Sequence, residues 1–110
     1  MLNKREKTLL FKLIKDYIDL GRPISSEFLQ SRHNFSFSPA TVRIEFQKLT
    51  AQGYLYKNYV SGGRIPTDKA YRFLVNYIIK KEKNKVKKFN LQIKKIYSVD
   101  NFIFLNRLVK

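Results

Sequence analysis

The residues able to do chemistry in this chain are mostly cationic, and none belongs to a catalytic set. Arg43, Gln47 and Lys48 fall close together, with Thr41 and Ile44 among them, and Arg64 follows directly on Ser61, Gly62 and Gly63. Guanidinium groups make forked hydrogen bonds to phosphates and to base edges, which is recognition chemistry rather than bond-making. Adjacent glycines allow close backbone approach, and an arginine beside them can meet a phosphate or a minor groove. The other chemistries lack their parts. Cysteine is absent and His33 is the sole histidine, which removes disulfides, thiolate zinc sites and a Ser-His-Asp relay. No carboxylate pair, metal cluster or phosphate-cradling glycine loop with a following Lys-Ser/Thr stands in the sequence. An enzyme is the least expected class, and no cofactor, metal or small-molecule ligand is expected.

The charge balance says what these groups meet. In 110 residues, 23 Lys and Arg stand against 8 Asp and Glu, a formal net charge of +15. An excess of that size on a small chain selects a polyanionic partner, nucleic acid first and an anionic membrane surface second. Solubility alone, or ribosome-like binding without sequence choice, is the bland alternative. At 44% hydrophobic and 15% aromatic residues the chain is too apolar for a disordered tail. No apolar run nears the roughly 18 residues of a membrane span. The charged start, MLNKREKT, lacks a signal peptide's apolar block. A cytoplasmic protein with no membrane partner is the expectation.

Positioning these groups takes a small set of elements. Leu9, Leu10, Leu13, Ile14, Tyr17 and Ile18 recur at helical spacing over residues 4–20, closed by Gly21 and Pro23. Ser25 or Ser26 caps a short second helix to about Arg32, with Phe28 and Leu29 inward and Asn34 at its end. Ser38-Pro39 opens a third helix that runs to about Gln52 and is closed by Gly53. On that helix Val42, Phe46 and Leu49 share one face; Ala40, Thr41, Ile44, Gln47 and Lys48 lie opposite, with Arg43 on the flank. Tyr54 to Val60 reads as a strand, Ser61 to Gly63 as a turn, and Arg64 and Ile65 as its return, which Pro66 stops. Tyr54, Tyr56 and Tyr59 alternate along it and are assigned to packing or stiffening. Thr67 then caps a fourth helix whose buried stripe is Tyr71, Leu74, Val75, Ile78 and Ile79. The expected fold is mainly α with a small β-hairpin wing: a winged helix-turn-helix followed by a C-terminal helical extension.

The segment Ser61-Gly-Gly-Arg-Ile-Pro-Thr-Asp-Lys-Ala-Tyr-Arg72 resembles the N-terminal domain of the HrcA family of heat-inducible transcription repressors. The likeness continues through Asp16-Tyr17-Ile18, Gly21-Arg-Pro-Ile24, Ser38-Pro-Ala-Thr-Val-Arg43 and Gly53-Tyr-Leu55, about residues 5–77 in all. It implies a bacterial, nucleoid-associated repressor. It also implies a homodimer on an inverted-repeat operator of chaperone and heat-shock genes, with activity maintained by the GroEL chaperonin. Ser38, Ala40, Thr41, Arg43, Ile44, Gln47 and Lys48 are expected to form the DNA-reading helix, and Ser61, Gly62, Gly63 and Arg64 the wing; the resemblance itself matches Thr41 and Arg43 to the first and Gly63 and Arg64 to the second. Arg64 is the leading candidate, since a wing-tip arginine has little structural work of its own. Arg22, Lys69 and Arg72 are expected on phosphates. Ile44 departs from the asparagine usual in the family; an isoleucine can touch a thymine methyl but cannot read donors and acceptors.

Residues 1–79 are expected to be the DNA-binding domain and residues 80–110 a basic helical extension. The first carries net +7 and the second net +8, six of its lysines lying between Lys80 and Lys88. Val86, Phe89, Ile93 and Ile96 form a seam suited to a second helix, hence to dimerisation. A break at Ser98–Asn101 precedes the apolar stretch Phe102 to Val109. The family continues into a large regulatory domain, so two expectations stay open: a naturally short relative, or a piece lacking that half. The alternatives to a repressor are a stand-alone protein-interaction or dimerisation module and a nonspecific nucleic-acid binder.

Overall fold

The computed structural model describes residues 2–96, the last four by backbone alone. It contains α1 (Lys4–Leu20), α2 (Ser26–His33), α3 (Pro39–Ala51), β1 (Leu55–Lys57), β2 (Arg64–Pro66) and α4 (Asp68–Ile96). Mostly helical with one antiparallel hairpin, it is the winged helix-turn-helix that the sequence leads one to expect.

Each helix starts and stops for a local reason. The Asn3 side chain accepts from the Glu6 N–H while the Glu6 carboxylate accepts from the Asn3 N–H, a reciprocal cap on α1. Gly21 ends that helix at φ +65°. Ser25 caps α2 by accepting from the Phe28 N–H, and Asn34, at φ +48°, closes it. Ser38 caps α3 with Pro39 in its first turn. At its far end Gly53 adopts φ +85°, so its N–H and that of Tyr54 reach back to the carbonyls of Thr50 and Leu49.

The core lies among the first three helices and the hairpin. Leu9, Leu10, Leu13 and Ile14 of α1 meet Leu29 of α2 and Val42, Phe46 and Leu49 of α3, with Ile24, Leu55 and Ala70 closing the rim. Each such aliphatic side chain contributes on the order of 1.5–3 kcal/mol by leaving water. Three carboxylates are buried with them, Glu6, Asp16 and Glu45, and Asp16 is the most deeply buried. Asp16 accepts a 2.8 Å hydrogen bond from His33 Nε2, and its other oxygen lies 3.3 Å from Arg32 Nε. A carboxylate only accepts, so the proton of that bond belongs to the imidazole. This ties α1 to the end of α2, where the helix-turn-helix turns.

The hairpin is shorter than expected. β1 ends at Lys57, and residues 58–63 form the loop, because the Asn58 side chain accepts from the N–H groups of Val60 and Ser61. The ladder takes in Pro66, paired with Leu55, and ends there. Ile24 adds a one-residue third strand, exchanging backbone hydrogen bonds with Arg64 at 2.9 and 2.7 Å.

Thr67 starts α4, its hydroxyl accepting from the Ala70 N–H. The buried stripe stops earlier than expected: Tyr71, Phe73 and Leu74 pack on the core, whereas Val75, Ile78 and Ile79 are about half exposed. The first compact unit closes at Leu74 and the second begins at Val75, within α4. Lys80 to Lys88 are all exposed. The break at Ser98–Asn101 and the stretch Phe102 to Val109 lie outside the described residues. Among those described, no helix is long and apolar enough to cross a membrane.

Candidate nucleic-acid interface

α3 turns two faces in opposite directions. Val42, Phe46 and Leu49 enter the core, joined by Glu45, which the sequence reading missed. Its carboxylate is buried, with Lys48 Nζ 3.7 Å away. Ser38, Ala40, Arg43, Ile44, Gln47 and Lys48 are exposed, and Thr41 is half-buried. Ser38 and Thr41 are occupied with each other, since the Ser38 hydroxyl caps the Thr41 N–H at 3.2 Å and lies 3.0 Å from its Oγ1. The outward side chains free to read a partner are therefore Arg43, Ile44 and Gln47.

Arg43 and Gln47 share a cleft with the hairpin. Its walls also include Ser25, Ser26 and Glu27 at the start of α2, and Lys57, Ser61, Gly62 and Arg64, around about 290 Å³. Three cations thus face one carboxylate, and the first N–H groups of α2 add partial positive charge. The space favours an anion. Lys57 was not foreseen; its signal was its place one strand-length from the glycines, across from Arg64.

Arg64 has structural work after all. Its Nε donates to Thr50 Oγ1 at 3.0 Å and its Nη1 to the Gly62 carbonyl at 2.7 Å, while the guanidinium lies 6.0 Å from the centroid of the Phe46 ring. These bonds clamp the hairpin to α3 and use two of the five guanidinium donors, so three can still meet a partner. Gly63 likewise serves the fold: a Cβ there would lie 2.8 Å from Pro23 Cβ, so only glycine lets the hairpin seat on the α1–α2 connection. Gly62, at φ +75°, has open space around it.

The remaining candidates separate. Arg22 lies over the Phe28 ring at 5.0 Å and lines a second, smaller hollow with Ser61 and Gly63, on the wing side. Lys69 is held at the opposite end of α3, donating to the Gln52 carbonyl at 2.7 Å. Arg72 is exposed on α4. Tyr54 packs edge-on against Phe73, as expected, but Tyr56 and Tyr59 are exposed rather than packed. Three-residue strands are too short to bring a second side of the hairpin back onto the core. Val86 and Phe89 are exposed on α4; the side chains of Ile93 and Ile96 lie outside the described ones.

A helix with one exposed face, a capped turn before it and a clamped hairpin beside it define the winged helix-turn-helix class. A crystal structure of a hypothetical protein at 2.2 Å resolution matches 76% of this chain at TM-score 0.69 and 38% identity, over 26% of its own length. The heat-inducible transcription repressor HrcA of Anaeromyxobacter sp. is 46% identical over 79 residues, and that of Thermotoga neapolitana 36% over 98. The Staphylococcus haemolyticus HrcA is 35% identical over 98% of this chain. The chain belongs to the HrcA family, as its wing-to-helix segment indicates. It spans 22% of the Anaeromyxobacter protein and 35% of the Staphylococcus haemolyticus one. No family model matches it.

Proposed function

We propose that residues 1–79 bind double-stranded DNA in a sequence-specific way and repress transcription of heat-shock genes. α3 lies in the major groove and the hairpin on the flanking backbone. The observation that carries this is the shared cleft, in which Arg43 and Gln47 of α3 stand beside Lys57 and Arg64 of the hairpin. Arg43 reads a base edge, Ile44 contacts a thymine methyl, and Lys57, Arg64 and Arg22 hold phosphates. The relatives' name, heat-inducible transcription repressor, supports the regulatory half of the reading. An anisotropy titration of an inverted-repeat duplex against a scrambled one tests it. Selective binding that weakens with salt supports the reading, and equal affinity for both duplexes removes it. Arg43→Ala should reduce selective affinity about tenfold or more.

An inverted repeat calls for two copies, and α4 offers the means. Positions 75, 79, 82, 86, 89, 93 and 96 alternate at four and three and are apolar except for Glu82. The β-branched Ile79, Val86 and Ile93 recur every seven residues, the spacing of one seam position of a coiled coil. Lysine pairs at 80–81, 87–88 and 94–95 repeat with the same period on the other side. α4 therefore pairs with α4 of a second copy through the seam that holds Val86, Phe89, Ile93 and Ile96.

A further inference from the structure

The hairpin loop carries two apolar side chains that do not pack on the core. Val60 is 99% exposed and Tyr59 85%. Isolated exposed apolar residues are ordinary on a protein surface; a rigid pair at an apex is a different case. The Asn58 side chain accepts from the Val60 and Ser61 N–H groups at 2.9 and 3.1 Å, while the Asn58 N–H donates to the Gly63 carbonyl and Gly62 returns a bond to Asn58. Below them, Gly63 is pressed onto Pro23 and Arg64 is clamped to Thr50. These bonds hold the loop backbone at its base and across its turn, which lowers the ordering cost of using the tip.

Charge and shape say what receives it. No acidic residue occurs between Glu45 and Asp68, a stretch that includes Lys48, Lys57 and Arg64. Lys57 Nζ lies 5.8 Å from the Tyr59 ring centroid, so the apolar tip carries its own cation. An apolar apex with Lys57 beside it and Arg64 at its base fits a surface that is anionic at its rim and apolar within. The minor groove of a duplex is such a surface: phosphates line its edges and stacked bases its floor. It is about 6 Å wide, which admits a hairpin tip but not a helix. The strands themselves lie on the body, held at Arg64 and Gly63, so it is the loop at 58–62 that stands clear, bordering the cleft it shares with α3.

We propose that Tyr59 and Val60 form a minor-groove wedge, entering at a base step next to the site read by α3, unstacking it and bending the duplex toward the major groove. This rests on the DNA-binding reading above and adds a way of choosing sequence. Steps that open easily, TA and CA/TG, are favoured under the wing although no side chain reads their edges.

The test uses the full chain and duplexes that it selects from a random library. End-to-end energy transfer reports bending, and 2-aminopurine at the steps flanking the α3 site reports unstacking. The wild-type complex should bend by 20° or more and brighten the 2-aminopurine. The Tyr59→Ser/Val60→Ser double variant, changed only at exposed side chains, should still bind selectively, within about tenfold, on a straight duplex with dark 2-aminopurine. Val60→Ser alone should give an intermediate bend. Selective binding on a straight wild-type duplex, or an unchanged bend in the double variant, overturns the wedge and leaves the DNA reading intact. Failure to select any duplex removes both. Flotation with phosphatidylglycerol vesicles that is lost in the double variant, with DNA shape unchanged, assigns the tip to a membrane and overturns the wedge.

Discussion

α1 and α4 present the same apolar periodicity to a reader of the sequence and meet opposite fates. Leu9, Leu10, Leu13 and Ile14 of α1 are at most 1% exposed, whereas Val75, Ile78, Ile79 and Phe89 of α4 are 47–52% exposed. Spacing sets which residues share a face; burial depends on whether anything packs against that face. α1 is covered by α3 and the hairpin, and α4 only through Leu74. An amphipathic stripe is therefore a statement about demand. In the first unit the chain meets that demand itself, and along α4 beyond Leu74 it does not.

The widest gap between the two helices should appear in stability. Leu13→Ala removes a fully buried side chain and should cost about 2–5 kcal/mol in urea unfolding. Ile79→Ala should stay within about 0.5 kcal/mol in dilute solution, as exposed truncations do. Equal costs would break the comparison. Next in size is the polar pair. His33→Ala leaves an oxygen of the buried Asp16 without its partner and should cost about 1–3 kcal/mol. Glu82→Gln, which loosens the exposed 3.4 Å contact with Lys85 on α4, should change dilute stability by no more than about 1 kcal/mol.

Association sharpens the same contrast. Sedimentation should show the chain self-associating with rising concentration, and Val86→Asp should abolish this without lowering the dilute unfolding midpoint. Glu82→Leu, which completes the apolar seam, should strengthen association severalfold. The smallest effect concerns Tyr71, where α4 still packs. Burial, and secondarily the charge of Tyr17, raises its phenol above the usual 10.0. The native state then holds this proton more tightly than the unfolded one, so its contribution is complete below pH 10 and is lost as pH rises through the raised value. Tyr71→Phe should flatten that part of the decline in urea midpoints above pH 10, and an unchanged slope would deny Tyr71 the role.

Much of the site was legible because its signals are local. Ser38-Pro39, Gly21, Asn34 and Gly53 mark helix ends by backbone preferences that need no neighbours, and they place Arg43 and Gln47 on the outer face of α3. The reasons assigned to Arg64 and Gly63 were not legible. Each works through a residue distant in sequence, Thr50 for the arginine and Pro23 for the glycine, and no spacing rule encodes such a contact. The exposure of Tyr59 was not legible for the same reason: alternation gives a strand two faces but does not say that the ladder ends at Lys57.

By itself, then, the sequence determined the order of helices and hairpin, the basic character of the surface and the residues that share each face. These follow from dihedral preference, charge and periodicity, properties that a residue carries with it. Tertiary structure alone decided which apolar faces are covered, that Arg64 clamps the wing to α3, and that Tyr59 and Val60 stand out from it. Burial and contact belong to pairs of segments, and only the folded chain brings those pairs together.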